Sequence, residues 1–93
     1  MTATIPEATE AIAAGRMLVV TDSTDRENEG DIVCAADSVT AEQVNFMARF
    51  GRGLICAPLT ADTAHRLQLP EMPGSRDRHG TAFTLSVDVR EGT

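Results

Sequence analysis

The chain has 93 residues, enough for one small domain with a thin core and too few for a second. Its formal charge of −6 supplies no basic face to displace counterions or meet lipid headgroups, so composition argues against nucleic-acid and membrane partners and for a cationic or metal-bound one. With three Phe and no Trp or Tyr, the core must rest on Val, Ile, Leu, Met and Ala.

The first six residues have neither a basic start nor a long apolar run, and no stretch approaches the roughly 20 apolar residues of a membrane span, which predicts a cytoplasmic protein. Pro6 near the first turn and Gly15 just past the last punctuate a short helix, with Glu7 and Glu10 toward its positive end. Met17 to Val20 and Ile32 to Ala36 are apolar on consecutive residues, the pattern of strands covered on both faces. Thr40 with Gln43 three residues on forms a capping box for the next helix, which Gly51 ends; Val44, Met47 and Ala48 share one of its faces. Leu54 to Leu59 is a third strand-like run, with Pro58 at its end or edge. Thr60 caps a helix over Ala61 to Leu69, stopped by Pro70. Pro70 to Gly80 is rich in turn formers and reads as loop, and Thr81 to Val89 alternates, with Phe83, Leu85, Val87 and Val89 on one face. Four strands with interleaved helices predict an α+β fold, a mixed sheet with helices packed on its faces. The last strand has no closing helix after it, so the fold reads as incomplete at the C-terminus.

Between the first two runs lies Asp22-Ser-Thr-Asp25-Arg26-Glu27-Asn-Glu29-Gly30-Asp31, where acids crowd around a single cation, Arg26. Their mutual repulsion is relieved by a hard divalent ion, which takes oxygen ligands, or by splaying into water. An EF-hand loop starting at Asp25 fails at its twelfth position, where Ala36 replaces the bidentate Glu, and its flanks read as strands. Cys34 and Cys56 are too far apart for a zinc knuckle or a dithiol pair and read as buried, reduced thiols. His65 has no metal-ligand spacing around it. His79 closes a loop with Arg76 and Arg78 that could face an anion. Gly51-Arg52-Gly53 offers backbone N–H groups to a phosphate, although a helix stop accounts for Gly51 equally well.

Four motifs in order, Asp-Arg-Glu-Asn-Glu-Gly-Asp at 25–31, Gly-Arg-Gly-Leu-Ile-Cys at 51–56, Leu-Pro-Glu-Met at 69–72 and His-Gly-Thr-Ala-Phe-Thr-Leu-Ser-Val-Asp at 79–88, closely resemble the N-terminal half of the 3,4-dihydroxy-2-butanone 4-phosphate synthases. The resemblance covers essentially the whole chain, residues 1–93 forming the N-terminal portion of one such domain. It implies a lyase of riboflavin biosynthesis that converts D-ribulose 5-phosphate to 3,4-dihydroxy-2-butanone 4-phosphate and formate. It further implies a magnesium cofactor, with manganese as the alternative ion, a homodimer, and fusion in some members to a GTP cyclohydrolase II domain. Carried over by motif, Glu27 is a magnesium ligand, Arg26 and Glu27 contact the sugar, and Asp31 holds a substrate hydroxyl. Catalytic roles fall to Glu29, in acid or base work on the loop, and to Cys56 beside the pocket.

The chain departs from the pattern in lacking the family's later Thr-Gly-Ile-Ser and Arg-x-Gly-His-Thr segments, the second of which carries the other protein ligand of magnesium. Neither His65 nor His79 stands in that context. The expectation is therefore a truncated chain, inactive alone; the alternative is a stand-alone acidic module that binds a cation or partner without turnover.

Overall fold

A computed structural model of the chain describes residues 2–22, 29–74, 82–88 and 90–91. The chain folds as two compact units, Met1–Ala57 and Pro58–Thr93.

The first unit opens with helix α1, Ile5–Ala13. Its N-cap is Thr4, whose hydroxyl accepts the Glu7 N–H at 3.2 Å while Glu7 Oε1 accepts the Thr4 N–H at 2.9 Å. This capping box satisfies two of the donors that a helix start leaves over. The Thr4 backbone N–H, and then its hydroxyl, bonds the charged form of Glu7 and holds that carboxyl below its ordinary value of 4.5. At the other end Gly15 takes φ +81°, and the N–H groups of Gly15 and Arg16 fold back onto the carbonyls of Ile12 and Ala11, each at 3.0 Å. Only a left-handed residue allows that closure, which is why a glycine stands there. Ala11 is the only buried residue among those described.

Strands β1, Leu18–Thr21, and β2, Gly30–Val33, form an antiparallel ribbon pairing Leu18 with Val33, Val19 with Ile32, Val20 with Asp31 and Thr21 with Gly30. The apolar runs placed β1 one residue too early, and β2 two residues too late at its start and three at its end. Cross-strand hydrogen bonds set the bounds, and these bring in the polar Thr21 and Asp31 while leaving out Cys34 to Ala36. Alternation of the pleat puts Leu18, Val20, Asp31 and Val33 on one face and Val19, Thr21, Gly30 and Ile32 on the other. The expected burial on both faces is not met: Val19 is 72% exposed, and Val20 and Val33 are exposed as well. Consecutive apolar residues record a need for two covering layers, but among the described residues those layers are not supplied.

After a 3₁₀ turn at Ala36–Ser38, helix α2, Ala41–Phe46, starts as the sequence indicates. The Thr40 hydroxyl accepts the Gln43 N–H at 3.1 Å, and Gln43 Oε1 accepts the Thr40 N–H at 3.0 Å. The same Gln43 side chain donates through Nε2 to the Gly15 carbonyl at 2.8 Å, tying the start of α2 to the end of α1. The helix widens into a π turn, Met47–Gly51, and the left-handed residue that ends it is Arg52, φ +59°, whose N–H reaches Met47 O five residues back. Phe46 and Phe50 stack tilted with centroids 5.0 Å apart, and the Arg49 guanidinium lies 5.5 Å from the Phe50 centroid. Gly51 lets this turn approach the ribbon, since a Cβ there would stand 3.3 Å from Ile32 Cδ1.

Leu54 to Leu59, expected as a third strand, makes no ladder, and every residue in it is exposed. Cys56 is consequently exposed and Cys34 half-buried, a correction to the reading of both as buried; both are free thiols. An apolar run states a preference for burial, and a strand also needs a partner with unpaired backbone groups.

In the second unit Thr60 caps helix α3, Ala61–Arg66, accepting the Thr63 N–H at 3.1 Å. The helix stops short of Leu69 because Gln68 turns left-handed, φ +58°, and the N–H groups of Gln68 and Leu69 close onto His65 O and Ala64 O. Of the expected strand Thr81 to Val89, whose two end residues lie outside the described ones, only Thr84 pairs, in an antiparallel bridge to Glu71. Met72 N–H donates to Phe83 O at 2.8 Å and Leu85 N–H to Pro70 O at 2.9 Å, so part of the stretch read as loop is the pairing partner. The α+β class holds, while two of the four expected strands form the sheet among the described residues. No described helix is long and apolar enough to cross a membrane.

Candidate active site

The acidic stretch enters and leaves the ribbon at one end. Asp22 N–H donates to Glu29 O at 3.3 Å, and Asp22 Oδ1 accepts the Glu29 N–H at 2.9 Å. The ladder register thus continues one pair beyond Thr21 and Gly30. By alternation Asp22 and Glu29 share a face with Val20, Asp31 and Val33. Gly51 and its turn lie against Ile32 on the opposite face. Glu29 and Asp31 are exposed, two residues apart on one strand and on one side of it.

Two of the residues expected at the site, Arg26 and Glu27, lie outside the described residues, as do His79, Arg76 and Arg78. The third and fourth, Glu29 and Asp31, come together on the ribbon. Cys56 stands in the exposed segment after the π turn. Carboxylates on the loop-bearing face are hard oxygen donors, the right kind for magnesium. Among the described residues, no three His, Cys, Asp or Glu side chains gather into a group able to hold a metal. The donors suit the ion in kind, and the described residues do not gather enough of them to hold it.

The second unit carries an open, mainly apolar groove of about 690 Å³, walled by Ala64, His65, Leu69, Glu71, Phe83 and Thr84 among others. The sequence reading gave His65 and Glu71 no role there. The available signal was the alternation around Phe83, which demands a pairing partner, and the segment after Pro70 provides it.

Residues 6–93 match the 3,4-dihydroxy-2-butanone 4-phosphate synthase family, and the chain belongs to that family. It is 48% identical over 90 residues to the 3,4-dihydroxy-2-butanone 4-phosphate synthase of Candida albicans, covering 96% of this chain and 44% of that protein. It is 53% identical over 90 residues to the riboflavin biosynthesis protein RibBA of Nocardia farcinica, covering 96% of this chain and 22% of that one. A crystal structure of a 3,4-dihydroxy-2-butanone 4-phosphate synthase in complex with two magnesium ions superposes with a TM-score of 0.85 at 46% identity, over 97% of this chain and 42% of the other. The chain thus spans less than half the length of these relatives.

Proposed function

We propose that this chain supplies the acidic-loop part of the active site of a lyase of riboflavin biosynthesis, one that converts D-ribulose 5-phosphate to 3,4-dihydroxy-2-butanone 4-phosphate and formate. The observation that carries the reading is the family match over residues 6–93 together with Glu29 and Asp31 on one face at the loop-bearing end of the ribbon. Enolising a ketose needs a base at the carbon beside the carbonyl. Glu29 is assigned to take that proton: its carboxylate is exposed beside Asp22, which holds its backbone N–H. Asp31, on the ladder, accepts a hydrogen bond from a substrate hydroxyl and fixes the sugar's orientation. Arg26 and Glu27 contact the sugar, and Cys56 borders the pocket. Glu27 would hold magnesium, or manganese as the alternative, in part, and the ion would supply Lewis-acid chemistry there.

The complete protein works in the cytoplasm as a homodimer in this reading, and its longer relatives leave room for a GTP cyclohydrolase II domain. The 93 residues by themselves are the N-terminal portion of a synthase domain and release no formate. A chimera tests this: residues 6–93 replace the matching stretch of the Candida albicans relative, and formate is followed with ribulose 5-phosphate and magnesium. The chimera is expected to turn over, and Glu27→Gln within it to lower formate release at least 100-fold. A folded chimera without formate overturns the activity. A Glu27→Gln loss within about tenfold, roughly 1.4 kcal/mol of barrier, removes Glu27 from the ligand set.

A further inference from the structure

We draw no further inference here: the strongest candidate, the open apolar groove of the second unit walled by Ala64, His65, Leu69 and Phe83, is an unpartnered face, and nothing in the structure shows what covers it.

Discussion

The two units differ in what holds them. In Met1–Ala57, contacts between residues far apart in sequence carry the structure: the ribbon ladder, the Gln43 bond to Gly15, and Gly51 against Ile32. In Pro58–Thr93 the bonds among the described residues are mostly local, the Thr60 cap and the closure at Gln68, joined by an antiparallel bridge between Glu71 and Thr84. Local bonds close over three to five residues and cost little loop entropy. Long-range bonds must be supported by burial, and burial is thin among the described residues of the first unit. The lesson is that the Gln43 bond to Gly15, which ties α1 to α2, weighs more in a unit whose apolar contribution is small.

Gln43→Leu is the most direct way to break the contrast. It removes the bond to Gly15 and the acceptor for the Thr40 N–H, a loss of about 2 kcal/mol at about 1 kcal/mol per hydrogen bond. Amide exchange should accelerate through Met1–Ala57 and stay unchanged in Pro58–Thr93; a uniform acceleration would show the units to be one cooperative body. Next in size, Thr40→Ala and Thr60→Ala each remove an N-cap worth about 1 kcal/mol. Thr40→Ala is expected to loosen the α1–α2 junction as well, whereas the effect of Thr60→Ala should stop at α3, as read by residue-level exchange.

Gln68→Gly runs in the opposite direction. It relieves a left-handed side-chain residue at the helix end and should stabilise α3 by about 0.5 kcal/mol, the strain relieved less the added chain entropy of Gly. Helix content and exchange at Leu69 N–H would report it. The smallest effect belongs to Glu7. Its folded pKa is depressed, so its contribution to α1 is present above the ordinary glutamate range and fades as pH falls through the lowered value. An NMR titration of the Glu7 side chain, with α1 shifts followed in parallel, checks the direction; an upward shift would refute the capping box in solution.

What the sequence disclosed divides along the same line. Thr40 with Gln43, Thr60, and Gly15 were legible because a cap or a stop is written within three or four residues. The Thr4 cap was overlooked because Pro6 already explained the helix start. Leu54 to Leu59 misled, since apolarity states what a segment wants and not what it finds, and Cys56 followed that run to the surface. At the candidate site the acids and the ribbon that carries them were readable from charge crowding between two apolar runs. The sharing of a face by Glu29 and Asp31 was not, because the apolar run begins only at Ile32, while pairing with Thr21 and Asp22 extends the ladder back through Gly30 to Glu29.

The two hydrogen bonds between Asp22 and Glu29 have a consequence for how this chain can vary in length. A pleated strand obeys a parity rule: removing one residue from Gly30–Val33 would swap which side every following residue occupies. The Asp22–Glu29 clasp marks where that rule begins, so single-residue deletions within 18–22 and 29–33 are expected to be rejected. A library of such deletions, scored for folding, checks it.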